Sequence, residues 1–369
     1  LIATNIKNNF SGITLIDFEK QLKNQRIFVT GNSGFTGGWA CFWLQSIGAE
    51  ILGYSLPPST SPSLFKSLNL DKDMKTVFGD ICNYELLKKS IIDFQPHLIL
   101  HLAAQPLVSC GYEQPLLTLN TNILGTANVL EISRNVKSLK GVVCITTDKV
   151  YKITKNQKKF VETDIIGGID PYSASKSAAE IVIECFANSY FSDKKISPII
   201  NVARGGNIIG GGDWSENRLF PDYIRSIILK KELDIRSPLS IRPWQHVLDL
   251  VSGYFLILND ILEGKIEKYM AWNLGPHENE SYTVENVLNI ISDNWEKPNI
   301  NLIKNHLKET QVLTLNSNKA KEILNWEPCW DTKKSIEMTV EWYKYFYNEP
   351  KQACQLSLKH LDQWRINNF

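Results

Sequence analysis

No stretch of this chain approaches the ~20 consecutive apolar residues that a membrane-crossing helix needs. The N-terminus also lacks the basic, apolar and small-residue succession of a signal peptide. Charge of one sign is missing too: 40 Lys and Arg stand against 39 Asp and Glu. No overall field therefore draws the chain to nucleic acid or to an anionic membrane, and the expected location is the cytoplasm. The seven cysteines, at 41, 82, 110, 144, 185, 329 and 354, are odd in number, scattered, and form no CxxC. They read as unpaired thiols filling core space in a reducing compartment, and no metal site is expected. Internal repeats and low-complexity tracts are absent as well. The 369 residues are enough for a sizeable core and two lobes.

What is present is an alternation of short apolar runs with longer amphipathic ones. RIFVTG (26–31), EILGYSL (50–56), KTVFGDI (75–81), HLILHLAA (97–104), GVVCITT (141–147) and SPIINVARGGN (197–207) read as strands, several apolar on both faces as buried parallel strands are. Helical stretches lie between them, including WACFWLQSIG, LLKKSIIDF, NTNILGTANVLEISRNV and PYSASKSAAEIVIECFANSYF. This pattern predicts an α/β fold, a doubly wound parallel sheet of Rossmann type with right-handed crossovers. After about Asn207 the rhythm gives way to loop-rich, aromatic sequence and an irregular helical end, WYKYFYNEP, predicting a second, smaller substrate-binding α/β lobe. The expected division is an N-terminal arm over 1–24, loosely held, a dinucleotide-binding domain over 25–207 and 244–273, and the substrate lobe over 208–243 and 274–369.

The first strand ends in TGNSGFTGG, in which Gly31, Gly34 and Gly37 form GxxGxxG. Glycines so placed allow a tight turn and a close approach of backbone to a pyrophosphate, while the following helix offers free N–H groups at its N-terminus. Between a strand and a helix, at the start of a βαβαβ run, the spacing points to a dinucleotide. The acidic residue expected on the ribose near the end of the second strand is missing, since Tyr54 and Ser55 stand there. No arginine replaces it, and NAD is the expected cofactor. Phe35 beside the glycines, Asp80 and Ile81 in FGDI, and Ala103 in HLAA are further candidates for its site; Asp80 is a candidate for contacting the adenine, with a loop cap as its alternative.

In IDPYSASKSAAE, Asp170 suits an N-cap and Pro171 a first helical position, so a helix starts here and sets Tyr172 and Lys176 on one face. A phenol with a pKa near ~10 is a poor base at neutral pH, but a neighbouring ammonium and a nicotinamide cation favour the phenolate. Both residues are therefore candidates for catalysis and for cofactor contact. The strand end CITTDKVY adds Thr147, able to hydrogen-bond the same substrate hydroxyl, and an adjacent acid and base, Asp148 and Lys149. An arbitrary strand end turning polar at the surface would look the same. The helix bearing Tyr172 and Lys176 gives the pair a purpose.

Together these strings resemble the extended short-chain dehydrogenase/reductase family, and within it the CDP-glucose 4,6-dehydratases, from about Arg26 to about Trp342. GxxGxxG and YxxxK mark the wider family. TTDKVY, GGIDPYSASK, GNIIGGGDW, RLFPD, SIRPWQHVLDL, HLAAQPLV and YEQP carry the narrower likeness. The resemblance implies a redox triad of Thr147, Tyr172 and Lys176, elimination of water by Asp148 and Lys149, and a nucleotide diphosphate held by Asn207, Arg218, Arg242 and His246. It also implies a lyase with transient NAD redox, in deoxysugar biosynthesis of the kind that supplies O-antigen and other polysaccharides. The helices beginning near Asn120 and Pro171 resemble the pair that builds dimers in this family, implying a homodimer or homotetramer. Two departures are visible: Ser109 stands where a basic residue is usual after QPLV, and KITKNQKKFVE (152–162) replaces a tryptophan-rich stretch.

Three alternatives stay open at this level. A sugar-nucleotide 4-epimerase would use Thr147, Tyr172, Lys176 and NAD, without need of an acid and base at 148 and 149. A dehydratase for a dTDP- or GDP-linked sugar would keep the chemistry and change the nucleotide pocket. A non-catalytic NAD-binding regulator ranks last, because it has little reason to carry all five residues.

Overall fold

The computed structural model describes residues 16–153, 159–193, 197–278, 280–303 and 313–368. Seven strands form one parallel sheet: β1 (Arg26–Thr30), β2 (Glu50–Ser55), β3 (Lys75–Phe78), β4 (Leu98–His101), β5 (Gly141–Ile145), β6 (Ile199–Gly205) and β7 (Met270–Leu274), in the order β7-β6-β5-β4-β1-β2-β3. Successive residues point to opposite faces, and the core divides accordingly. Ile27 and Val29 of β1 and Val143 of β5 join one apolar cluster, whereas Phe28, Val142 and Cys144 join the other. All four residues of β4 are buried, as in a strand covered on both faces. The doubly wound sheet expected from the alternation is thus present.

The order reverses between β1 and β4, whose C-terminal ends Thr30 and His101 lie side by side in register. Chain leaving these two ends turns to opposite sides, which opens a crevice at that edge of the sheet. Helix α1 (Asp17–Leu22) precedes β1, and α2 (Phe35–Ile47) follows it. Next come α3 (Tyr84–Phe94), α4 (Pro171–Tyr190), α5 (Leu219–Leu229), α6 (Val247–Leu262), α7 (Thr332–Asn348) and α8 (Ala353–Asn367), among further helices such as Val284–Asn294 and shorter turns. The helical stretch read as starting near Asn120 begins earlier, as Pro115–Leu119, passes through a π-turn at Asn120–Leu124, and continues as Gly125–Ser133. Beyond β6 the added strands are short pairs: Asn207–Ile209 with Trp244–His246, Ile241–Arg242 with Tyr282–Thr283, and Leu233–Ile235 with Ile300–Leu302.

The expectation of a loosely held arm does not hold for its last residues; 1–15, like 154–158 of the polar stretch, lie outside the described residues. Polar composition concealed an amphipathic turn, with Phe18 and Leu22 buried. Glu19, fully buried, accepts from Trp43 Nε1 at 2.6 Å and from Arg365 Nε at 2.8 Å, tying α1 to α2 and to the distant α8. Phe18 also meets the rings of Trp43 and Phe255, at 5.9 and 6.4 Å. A loose arm would tolerate Phe18→Ala. A packed one loses about 3–5 kcal/mol, an effect to be read by urea denaturation.

Candidate active site

A cavity of about 860 Å³ opens along the C-terminal edge of the sheet and continues past the short strand pairs. Gly31, Gly34, Phe35, Gly37, Asp80, Ile81 and Ala103 all border it, so the structure brings these seven together. Gly31 has φ +75°, and a Cβ there would lie 2.8 Å from the Ala103 backbone nitrogen. A Cβ on Gly37 would stand 2.2 Å from the Gly31 carbonyl oxygen. Both positions therefore exclude any side chain, and the N-terminus of α2, capped by Gly34, is left facing the cavity. A backbone cradle bare of side chains at a helix N-terminus suits a pyrophosphate, so the residues present fit a dinucleotide.

Asp80 has the loop-capping role that was its alternative: Oδ1 accepts from Cys82 N at 2.8 Å, and its carbonyl accepts from the Tyr54 hydroxyl at 2.9 Å. Sequence reading missed Thr30 and His101. Thr30 Oγ1 accepts from Leu102 N and Ala103 N, at 3.1 and 3.0 Å, and lies 2.7 Å from His101 Nδ1. Burial drives the His101 pKa down to about 3, so the ring is neutral. Thr126 Oγ1 donates to the Asn122 carbonyl and accepts from His101 Nε2 at 3.0 Å, which makes Nδ1 the acceptor for Thr30. The chain HLAA holds a polar residue between apolar ones at a strand end, and that was the available signal.

Thr147, Lys149, Tyr172 and Lys176 also border the cavity. β5 stops at Ile145, two residues earlier than the apolar run suggests, because Thr147 caps a 3-10 turn over Asp148–Val150, accepting from Lys149 N at 3.3 Å. Asp148 is not among the described residues on the cavity wall. It lies just behind, 1 % exposed, with Oδ1 accepting from Thr147 Oγ1 at 3.0 Å and Oδ2 without a partner. Burial raises its pKa, against the charges of Lys149 and Arg242 and the Thr147 hydrogen bond.

Asp170 caps α4 through Ser173 N at 3.0 Å, and Pro171 opens the first turn. Lys176 Nζ donates to the Ile145 carbonyl at 3.0 Å, and burial brings its pKa down to about 8. Tyr172 departs from expectation. Burial pushes its phenol up to about 12, and what opposes this is a hydrogen bond with Thr147 and the charge of Arg218. Sequence reading also missed Asn122 in the π-turn. Its amide donates to the Gln105 carbonyl at 3.1 Å and to Ser175 Oγ at 2.8 Å, and Ser175 donates to the Tyr172 carbonyl at 2.7 Å.

Farther along, Asn207, Arg218 and Arg242 border the cavity, and so does Ser109. Arg218 pairs with Asp213 at 2.8 Å, and Arg242 Nη1 donates to the Ile241 carbonyl at 3.0 Å. His246 does not join them among the described lining residues. It is fully buried, caps α6 by accepting from Leu248 N at 3.2 Å, and packs between the rings of Trp39 and Trp330. Burial holds it well below the usual histidine pKa, so His246 is a neutral structural cap and not a substrate ligand. Its aromatic and aliphatic neighbours in PWQHVL, ahead of an apolar helix, carried that signal.

Residues 28–339 match the family model described as GDP-mannose 4,6 dehydratase. The chain is 39% identical over 327 residues to a CDP-glucose 4,6-dehydratase of Salmonella typhimurium, covering 87% of this chain and 91% of that protein. Among solved structures it is similar to the dTDP-glucose 4,6-dehydratase of Bacillus anthracis in complex with NAD. The TM-score is 0.72 and the identity 25%, over 88% of this chain and 97% of that one. A UDP-glucose 4-epimerase of Thermotoga maritima shares the fold, with TM-score 0.76 at 22% identity, over 87% of this chain and 99% of that one.

The Lys176 shift has a measurable consequence. Between pH ~8 and its ordinary 10.5 the unfolded lysine binds more protons than the folded one, so this residue's stability contribution grows with pH across that window and is lost as pH falls through about 8. From about pH 7.5 to 9.5 the gain is about 2 kcal/mol. Denaturant titrations should show it in the wild type and not in Lys176→Met. Equal gains in both would place the ammonium in water.

Proposed function

The chain belongs to the GDP-mannose 4,6 dehydratase family, and on that premise we propose that it is an NAD-dependent hydro-lyase. In this reading it converts CDP-D-glucose to CDP-4-keto-6-deoxy-D-glucose for deoxysugar biosynthesis. The observation that carries this reading is the turn at 147–149: Thr147 hydrogen-bonds both Tyr172 and a buried Asp148 whose pKa is raised, while Lys149 faces the cavity. A 4-epimerase has no use for the last two. The Salmonella protein's substrate nucleotide favours CDP over dTDP or GDP.

The glycine cradle of Gly31, Gly34 and Gly37, with Phe35, Asp80, Ile81 and Ala103, would hold NAD, which when bound accepts a hydride from sugar C4, returns it at C6, and adds a positive charge favouring the Tyr172 phenolate. Tyr172 takes the proton of the 4-hydroxyl, with Thr147 orienting that hydroxyl and Lys176 fixed by the Ile145 carbonyl. The 4-ketone acidifies the C5 proton, which Lys149 removes. Asp148, whose pKa burial raises, delivers a proton to the departing 6-oxygen, and water leaves. Lys149 gives its proton back to C5. At the end Tyr172 is one proton richer and Asp148 one poorer. Thr147, bonded to both, is the path that levels them. Arg218, Arg242 and Asn207 would hold the diphosphate.

We read 25–207 with 244–273 as the NAD-binding part and 208–243 with 274–369 as the substrate part; β7 at the sheet edge supports including 270–273 in the first. A homodimer or homotetramer is supported by the apolar residues Leu116, Leu124 and Ile181, exposed by 72%, 55% and 59% on the helices before β5 and on α4. Seven unpaired thiols support the cytoplasm, and among the described residues no helix is long and apolar enough to cross a membrane.

Supplied with CDP-glucose and catalytic NAD, the protein should accumulate a 4-keto-6-deoxy sugar without matching NADH. Stoichiometric NADH would mark a simple dehydrogenase, and the 4-epimer of the sugar an epimerase. Single turnovers in D₂O separate the two turn residues. Lys149→Met should oxidise C4 and stall, with the 6-hydroxyl kept and no deuterium at C5. Asp148→Asn should exchange C5 while water loss slows, by roughly 10²–10⁴-fold. Dehydration by Lys149→Met near the wild-type rate would reduce that lysine to a surface charge.

A further inference from the structure

The cavity runs on past Arg218 to a wall that the redox and elimination chemistry does not use. Arg218 is the N-cap of α5, and Asp222, four residues on, donates its backbone N–H to the Arg218 carbonyl at 3.0 Å. The two side chains therefore lie on one helix face, about one turn or ~5.4 Å apart along the axis, and both border the cavity. Phe220, Leu233 and Ile235 give the same region apolar walls, and Arg236 borders it beside Asp222, close enough for its charge to favour the Asp222 carboxylate.

Neighbouring groups are already committed to the protein. Arg225 holds Asp222 Oδ1 and the Asn217 backbone N–H also bonds that carboxylate, leaving part of its acceptor capacity open, while Arg225 Nη1 and Nη2 donate to the Trp214 and Ser215 carbonyls at 2.8 and 3.0 Å. That leaves Asp222 oriented and Arg225 spent. Asp213 is paired with Arg218, and Asp234, a further carboxylate on the wall, is exposed and accepts from Asn301 Nδ2 at 2.8 Å. The pair left for a ligand is the Asp222 carboxylate and the Arg236 guanidinium, an acceptor beside a donor.

We propose that Asp222 and Arg236 read the nucleobase, and that they select cytosine against uracil and thymine. This rests on the nucleotide-sugar reading above. A diphosphate at Arg218 places the nucleoside beyond it, over the apolar walls. Cytosine presents an exocyclic amino group next to two acceptors, N3 and O2. A carboxylate accepts from the amine, and a guanidinium donates to N3 and O2. Uracil and thymine present O4 and N3–H at those places, so acceptor would face acceptor and donor would face donor, each left unpaired.

Calorimetric titration of the NAD-loaded protein with CDP, UDP and dTDP tests this without turnover. The wild type should prefer CDP, on the order of ten- to a hundredfold. Asp222→Asn, whose amide can present either a donor or an acceptor, should lose most of that preference by gaining UDP affinity as well as losing CDP affinity. Asp222 also supports Arg225, so Arg236→Gln, which removes no hydrogen bond seen among the described residues, is the second arm and should weaken CDP more than UDP. Unchanged CDP to UDP ratios in both variants, above an intact wild-type preference, would overturn the Asp222 and Arg236 assignment while leaving the CDP-glucose reading in place. A wild type that does not prefer CDP would overturn both.

Discussion

The site depends on one buried ion pair. Arg204, near the end of β6, and Glu180, in the middle of α4, are 4% and 1% exposed and meet through Nε at 3.0 Å to both carboxylate oxygens and through Nη2. Glu180 also accepts from Thr146, the residue that leaves β5, and Arg204 Nη1 donates to the Tyr151 hydroxyl at 2.7 Å. Tyr151 passes the connection to Asn273 of β7 at 2.6 Å and stacks on Phe160 at 4.8 Å. Residues 147–149 are therefore clamped on both sides, by Thr146 and by Tyr151, to the helix that carries Tyr172 and Lys176. Such a pair adds little net stability once desolvation is counted, but removing one partner would strand the other charge in the core. What it supplies is position.

That fixed position lets burial set the acid–base character of the site. Tyr172, Lys176 and Asp148 are all buried, and burial moves each toward its neutral form: phenol, amine and carboxylic acid. In the free protein, then, burial raises the pKa of Asp148 and of Tyr172 alike and lowers that of Lys176. The charges that would ionise Tyr172 come from outside its helix. Arg218 reaches it from the far wall, and Lys176 is turned to the Ile145 carbonyl. Further positive charge placed in the cavity would bring the Tyr172 phenol down from about 12.

Residue order alone determined the sheet, because strands buried on both faces need apolar interiors, and residues 27–29 of β1, 98–100 of β4 and 142–144 of β5 supply them. It determined the glycine cradle, because no other residue fits beside Ala103 N or the Gly31 carbonyl. It also determined the start of α4, where Asp170 and Pro171 are local signals with local causes, and hence the common face of Tyr172 and Lys176. Tertiary structure decided everything that turns on which distant residues meet. PWQHVL carries an apolar signal around His246, but which rings bury it is settled only where Trp39 and Trp330 close around it. The polar segment before β1 reads as loose until Glu19 finds Trp43 and Arg365, the latter 346 positions away. Asp148 and Lys149 are neighbours in sequence, but only the turn after Ile145 buries one and leaves the other facing the cavity, because a 3-10 turn sends successive side chains in different directions. Periodicity and backbone constraints act over a few residues and are written in them. Burial and pairing act between segments, and only the folded chain sets them.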